Sequence, residues 1–179
     1  MAKLKDRYAN ALLEISEERG TLERDLEHAV FILDMLSSVD VQAFLVHPHI
    51  LDSVKLKLFQ DAFSGRIAEH LMGFLYLMVR KDAESLILPA LLEYSKRIKR
   101  CLGRIEAKVV SAKALTEKQI ESIRTILSRQ TDMEIDIITK VDPDVIGGFY
   151  ILIDGRIFDG TVRSELNIMK ERLKRGSNE

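Results

Sequence analysis

Residues 100–109 read Arg-Cys-Leu-Gly-Arg-Ile-Glu-Ala-Lys-Val, and the composition of the chain changes within this stretch. Residues 1–102 contain 19 Leu against 12 Ile plus Val and 3 Gly, whereas residues 103–179 contain 5 Leu against 17 Ile plus Val and 6 Gly. Leucine favours helices, while β-branched residues favour strands and glycine marks turns. The sequence therefore predicts an α+β chain of two domains, a helical bundle over residues 1–102 and a small α/β domain over residues 103–179.

The first domain shows apolar residues at helical spacing throughout. About six helices with short connections are expected, which is typical of a compact bundle. Gly20 ends the first helix, Thr21 is predicted to cap the second, and Pro89 lies near the start of the last. The predicted apolar faces are Leu4, Tyr8, Ala11, Leu12 and Ile15; Leu22, Leu26, Ala29, Leu33 and Leu36; Leu51, Val54, Leu58 and Ala62; and Leu91 with Tyr94.

The second domain alternates between strand and helix patterns. Apolar residues alternate with charged ones from Arg104 to Val109, Thr116 is positioned to cap a helix, and a second strand follows at Ile135. Asp154-Gly155 is a strong hairpin signal between a strand at 148–153 and the next one. The final helix carries Val162, Leu166 and Met169, which are expected to pack on that hairpin.

Overall composition argues against several functions. The chain is 31% charged with a formal net charge of −1, so it lacks the basic field that drives nucleic-acid binding. A single cysteine, Cys101, excludes an internal disulfide. The longest apolar run, Leu71–Val79, is short of the roughly 20 residues that a membrane-spanning helix needs.

The residues that could serve in catalysis or metal binding do not combine into a convincing active site. His47-Pro48-His49 lacks partners at zinc-ligand spacing, and Gly147-Gly148 precedes a strand where a phosphate loop would precede a helix. That glycine pair is expected to form a tight turn or a close backbone approach, and Asp154-Gly155 a second structural turn. Four turn aspartates leave a magnesium-dependent enzyme open as a minor alternative: Asp142, Asp144, Asp154 and Asp159. Otherwise we expect no catalytic, metal or cofactor site.

The run Leu71–Val79 is apolar around its whole circumference. Such a helix is either central to the bundle or partly exposed to a partner. Its methionines and glycine suit an adaptable groove for an amphipathic helix, so both interpretations stay open.

Several short motifs occur in a fixed order over nearly the whole chain. They are Arg7-Tyr8-Ala9-x-Ala11-Leu12, Tyr94, Val110-Ser111-Ala112-x-x-Leu115, Val141-Asp142-Pro143-x-x-Ile146-Gly147-Gly148 and Asp159-Gly160-Thr161-Val162-Arg163-x-x-Leu166. Together they resemble the delta subunit of the F-type rotary ATP synthase, a family called the oligomycin-sensitivity-conferring protein in mitochondria. The chain departs from the family pattern at two places: Asp82-Ala83-Glu84 replaces an Asn-Gly-Arg-like turn, and Thr161 replaces a serine.

The resemblance implies a non-catalytic stator subunit that ties the catalytic hexamer to the peripheral stalk, so that the hexamer does not turn with the rotor. It implies a six-helix bundle that holds the N-terminal helix of an alpha subunit between its first and fifth helices, and a C-terminal domain that binds the stalk b subunits. The residues assigned to the alpha-subunit groove are Tyr8, Ala11, Leu12, Ile15, Leu71, Phe74, Leu75 and Met78. Those assigned to the b subunits are Val162, Leu166 and Met169.

No transit-like extension precedes Ala2, so the bacterial form of the family fits best. That form implies a location at the cytoplasmic face of the cell membrane, reached only through the complex. A helical-bundle adaptor or scaffold for other partners remains the alternative from a different functional class; the absence of a basic stripe disfavours an RNA-binding version of it.

Overall fold

The computed structural model describes the backbone of residues 2–176 and the side chains of residues 3–170. The chain divides into two compact units, Met1–Leu102 and Gly103–Glu179, each with its own hydrophobic cluster. The first unit is helical, and the second contains a small mixed sheet. The boundary between the two units falls between Leu102 and Gly103.

Helices make up the first unit. Gly20, with a φ of +65°, ends the first helix, and Pro89 lies in the first turn of the last, where its missing N–H costs no helical hydrogen bond. The elements are α1 (Ala2–Arg19), α2 (Leu22–Leu36), α3 (Val39–Val46), α4 (Asp52–Phe63), α5 (Glu69–Arg80), a 3-10 turn (Glu84–Leu86) and α6 (Ile87–Cys101).

The core-facing side of α4 differs from the sequence prediction. Leu51, Val54 and Leu58 are exposed, whereas Phe59 and Phe63 are completely or almost completely buried. Both sets have helical spacing, and the buried face is the one that carries the two phenylalanine rings, each of which removes a large apolar area from water. The prediction for α4 is therefore wrong in rotation, although right in position.

The start of α2 also differs. Thr21 makes no side-chain capping bond to the backbone; its Oγ1 instead donates to Asp25 Oδ2 at 2.6 Å. Asp25 is buried together with Ala29, Ile32 and Leu36, so a carboxylate lies on the core face in place of the predicted Leu22 and Leu26, which are half-buried.

The turn that departs from the family pattern has a role inside the bundle. Asp82 takes a left-handed conformation with a φ of +50°, and the Ala83 N–H donates to the Met78 carbonyl. Glu84 is buried, and Lys55 Nζ donates to its Oε1 at 2.6 Å. This buried ion pair ties the 3-10 turn to α4.

A four-stranded mixed sheet forms the second unit, with strand order β2-β1-β3-β4. The β1 and β2 strands, which α7 connects along the chain, pair in parallel. The β3 strand pairs antiparallel with β1 and with β4. The elements are β1 (Arg104–Ser111), α7 (Glu117–Thr131), β2 (Glu134–Val141), β3 (Gly148–Ile153), β4 (Arg156–Thr161) and α8 (Val162–Gly176).

Local signals in this unit are well defined. Thr116 and Gln119 form a reciprocal capping box at the start of α7. Asp154 and Gly155 have φ values of +50° and +76°, the pair of positive angles that a two-residue hairpin turn requires. The core lies between one face of the sheet and α7, and consists of Ala107, Val109, Ile123, Leu127, Ile135, Ile151 and Ile153.

Candidate functional site: two partner-binding surfaces

The first candidate surface lies along α1. Leu12 is buried, Tyr8 and Ile15 are half-buried, and Ala11 is exposed. Leu4, one turn before Tyr8, is 41% exposed. These positions share one side of the helix by their i, i+4, i+7, i+11 spacing, so an apolar stripe runs along α1 at the edge of the core.

The four α5 residues that were assigned to the groove belong to the core of the isolated chain. Leu71, Leu75 and Met78 are fully buried, and Phe74 is 4% exposed. They can support a bound helix from beneath but offer it little surface. Sequence reasoning missed Leu77, which is 40% exposed and follows Phe74 by three residues. The sequence did indicate that an apolar side chain could be exposed here, because Leu77 lies in the run Leu71–Val79, which is apolar around its whole circumference.

Direct contact joins α1 and α5. The rings of Tyr8 and Phe74 lie 6.0 Å apart between centroids at 58°. Leu4, Tyr8, Ala11 and Ile15 of α1, with Leu77 of α5, are named the groove surface below. It is an open apolar stripe with an exposed alanine at its centre, and small residues allow a partner helix to approach closely.

The groove surface is held in place from α6. Ser16 Oγ lies 2.6 Å from the Tyr94 hydroxyl and donates to the Leu12 carbonyl at 3.0 Å. Burial raises the pKa of Tyr94 to about 12, so the phenol stays neutral and can act in this hydrogen bond. At the other edge Arg97 binds Asp6, at 3.0 Å, and Asn10. These polar contacts fix the rotation of α1.

A buried polar cluster lies where α1 gives way to α2 and where α5 begins. The Asp25 carboxylate accepts from Thr21 and lies 3.3 Å from His70 Nε2. His28 Nδ1 accepts the Ala68 N–H at 3.1 Å, directly before α5. Neither ring nitrogen of His70 makes a hydrogen bond among the described residues. Burial lowers the pKa of His70 and outweighs the opposing effect of Asp25.

The second candidate surface is α8 in the other unit. Val162, Leu166 and Met169 are 40%, 58% and 57% exposed, and none belongs to the core of the unit. The expectation that they pack on the Asp154-Gly155 hairpin is therefore wrong for this chain alone. Ile157 and Phe158 of β4 are also exposed. Apolar surface of this kind is characteristic of partner-binding sites.

Gly147 and Gly148 fix the path of the chain at the base of α8. A Cβ at Gly148 would come within 2.3 Å of the Gly160 carbonyl oxygen, and the φ of Gly148 is +80°. A Cβ at Gly147 would lie 3.0 Å from Val162 Cγ2, and the Val162 N–H donates to the Gly147 carbonyl. The glycine pair therefore lets β3, β4 and the first residue of α8 approach closely.

Three residues that were considered as metal ligands instead accept hydrogen bonds from backbone N–H groups two residues further along the chain. Asp142 Oδ1 accepts from the Asp144 N–H and Asp159 Oδ1 from the Thr161 N–H, while His47 Nδ1 accepts from His49 N–H. Within the part of the chain that the structure describes, no group of three or more His, Cys, Asp or Glu residues could hold a metal ion. The magnesium alternative thus gains no support from geometry.

Cys101 lies at the end of α6, where its Sγ donates to Glu17 Oε1 at 3.4 Å. Desolvation, followed by this hydrogen bond and the Glu17 charge, raises the pKa of the thiol. A raised pKa keeps the group protonated and makes it a poor nucleophile.

Among the described residues, no single helix is long and apolar enough to cross a membrane; Leu22–Leu36 and Val39–Val46 meet that test only as a pair bent by 88°.

Comparisons with known proteins identify the family. The ATP synthase delta (OSCP) subunit model matches residues 4–173. ATP synthase subunit delta of Clostridium kluyveri is 32% identical over 172 residues, covering 95% of this chain and 94% of that protein. The corresponding subunit of Desulforamulus reducens is 30% identical and covers 93% of each chain.

A solved structure shares the fold. One chain of the Toxoplasma gondii mitochondrial ATP synthase hexamer, determined by electron cryo-microscopy, superposes with a TM-score of 0.83. The match is 13% identical and covers 95% of this chain and 97% of that chain. Since the family model and relatives at 30% identity or more span almost all of the sequence, the chain belongs to the ATP synthase delta (OSCP) subunit family.

Proposed function

We propose that this chain holds the N-terminal helix of an alpha subunit on its groove surface and the end of the stalk b subunits on α8. Its family makes it a non-catalytic peripheral-stalk subunit of ATP synthase. A stator must resist torque. This task requires extended binding surfaces but does not require an active site. The proposal adds which surface meets which partner, at the cytoplasmic face of a bacterial membrane.

The observation that carries the first half of the proposal is the exposed Ala11 between half-buried Tyr8 and Ile15. Together with Leu4 and Leu77, they form an apolar stripe on two helices that touch through Tyr8 and Phe74. An amphipathic helix laid on this stripe would bury its own apolar face there. We further propose that α1 to α6 correspond to the six-helix bundle that the family resemblance implies.

Replacing Ala11 with tryptophan tests this surface. Ala11→Trp should weaken binding of an alpha-subunit N-terminal peptide by roughly 2 kcal/mol or more, the scale of an interface hot spot. Calorimetric titration measures the affinity, and thermal unfolding of the free protein should change little because Ala11 is exposed.

The matched control is Ala114→Trp, which makes the same change at an exposed alanine of the second unit. It should leave peptide affinity unchanged. If Ala11→Trp unfolds the free bundle, or binds the peptide as tightly as the unaltered chain, the groove surface is not the alpha-subunit site.

The second half of the proposal rests on the exposed apolar face of α8. Val162, Leu166 and Met169 recur at i, i+4, i+7 and lie outside the core of their unit. The double substitution Leu166→Asp with Met169→Asp should abolish capture of the b subunits while leaving binding of the alpha-subunit peptide intact. Deleting residues 161–179 should have the same two effects.

Asn167→Asp adds a carboxylate to an exposed position of the same helix and serves as the control. Pull-down of b subunits should succeed with this variant. Retention of b subunits by the double variant would remove α8 from the stalk site. Because each substitution lies in one unit, the two halves of the proposal succeed or fail separately.

A further inference from the structure

We propose that opposite charges at the two ends of the groove surface set the direction in which a partner helix binds. The inference rests on the proposed function, since it concerns the helix that occupies this surface. Its partner is an amphipathic helix with carboxylates near one end of its apolar stripe and Lys or Arg near the other.

The exposed charges beside the groove surface on α1 are segregated along its length, with Arg19 in the last turn as an exception. Lys3 and Arg7 are exposed in its first half, and Glu14 and Glu18 are exposed in its second half. Their i, i+4, i+11, i+15 spacing places all four on one side of the helix. Lys3, Arg7 and Glu14 each directly precede an apolar residue of the groove surface: Leu4, Tyr8 and Ile15. The charged side of α1 is therefore adjacent to its apolar side, and the charges line the solvent edge of the groove surface.

Two contacts establish the direction of α5 relative to α1. His70, at the start of α5, lies 3.3 Å from Asp25, and Asp25 binds Thr21 just after the end of α1. Phe74, one turn later, contacts Tyr8 in the first half of α1. The α5 helix therefore begins near the end of α1 and runs back toward its start.

This direction gives both helices the same charge at each end. Glu69 at the start of α5 and Arg80 at its end are both exposed. The end of the groove surface near Ile15 thus carries three carboxylates, Glu14, Glu18 and Glu69, against one cation, Arg19 in the last turn of α1. The end near Leu4 carries Lys3, Arg7 and Arg80.

These six charges are available to a partner. Among the described residues, none of them forms a salt bridge within the chain, while Arg7 stacks over the Tyr8 ring at 5.5 Å. Rim charges contribute modestly to affinity but strongly to register and orientation, because the reversed arrangement places like charges together. Apolar contacts alone would accept a helix in either direction.

The test uses two synthetic amphipathic peptides with one apolar stripe and exchanged ends. The first carries Glu in its N-terminal half and Lys in its C-terminal half, and the second carries the reverse. Each bears a nitroxide label at its N-terminus, and paramagnetic broadening of backbone amides is measured on the full-length chain. The first label should broaden amides near Leu4, and the second should broaden those near Ile15 and Gly20.

A variant of the protein supplies the converse experiment. Exchanging the signs on α1, with Lys3→Glu, Arg7→Glu, Glu14→Lys and Glu18→Lys together, should weaken the original orientation of the first peptide on the order of tenfold at low salt. The loss should shrink in about 0.5 M salt, where exposed charges are screened. Arg24→Glu with Glu27→Lys, two exposed positions of α2, is the control and should leave the orientation unchanged.

Each result decides between distinct failures. Labels that broaden the same end with both peptides overturn the charge-directed orientation and leave the groove surface standing. Peptides that bind the Ala11→Trp variant as tightly as the unaltered chain, or that do not bind at all, overturn the groove surface and the orientation with it.

Discussion

The two units of this chain use burial in different ways. The helical unit buries a large core and also encloses the charged groups Asp25, Lys55 and Glu84. The second unit has a small core against α7 and buries only the hydroxyl residues Ser111 and Thr161 among its described polar side chains. It leaves the apolar residues Val162, Leu166 and Met169 of α8 exposed. The first unit thus combines a large core with an exposed groove surface, whereas the second combines a small core with an exposed apolar face on α8. Both fit a subunit that connects other subunits.

The largest effect is expected in the core of the helical unit. Phe59 is fully buried and contacts Phe63, with ring centroids 6.2 Å apart. Phe59→Ala should lower the free energy of unfolding by about 3–5 kcal/mol through lost burial and the cavity left behind. Urea unfolding followed by far-ultraviolet circular dichroism measures the change.

Leu58→Ala is the matched control, because Leu58 is the neighbouring residue on the partly exposed side of α4. It should cost less than about 1 kcal/mol. Equal losses at the two positions would contradict the rotation of α4 and restore the face predicted from the leucines.

This difference shows what the sequence could and could not predict. Thr116, Gln119, Asp154 and Gly155 act through neighbours a few residues away, so the helix start and the hairpin were predictable from local pattern. The rotation of α4 depends on which of two equally spaced faces fills the space beside distant helices. Its position could be predicted from periodicity, but its rotation could not.

The candidate site follows the same division. The apolar stripe on α1 could be predicted because it is a property of one helix. The burial of Leu71 and Met78, and the pairing of Lys55 with Glu84 across 29 positions, depend on tertiary packing and could not. Leu77 was missed for the same reason, since an all-apolar helix does not reveal which side faces solvent.

A smaller effect is expected from pH in the helical unit. His70 lies beside Asp25, with His28 of α2 and Arg19 of α1 also close enough to affect its charge. Burial lowers its pKa in the folded chain below the ordinary value of 6.5. As pH falls below that value, the unfolded chain binds a proton that the folded chain does not, so acid destabilises the bundle.

The slope for one such proton is at most about 1.4 kcal/mol per pH unit. His70→Leu should flatten the dependence of bundle unfolding on pH between about pH 6.5 and 5. His49→Gln, in an exposed loop, is the control and should leave the slope unchanged. A steep slope that persists in His70→Leu would assign the acid sensitivity to another group.

The smallest effect on stability is expected from substitutions on the exposed apolar face of α8 in the second unit. Leu166 is mostly exposed, so Leu166→Ser should change the stability of its own unit by less than about 0.5 kcal/mol, close to the helix-propensity difference alone. Ile123 lies in the core of the same unit, and Ile123→Ser should cost about 3 kcal/mol. Hydrogen exchange of the β1 and β3 amides reports this unit separately from the helical one. If Leu166→Ser costs as much as Ile123→Ser, α8 packs into the core of its unit, and the apolar face assigned to the stalk is a structural face instead.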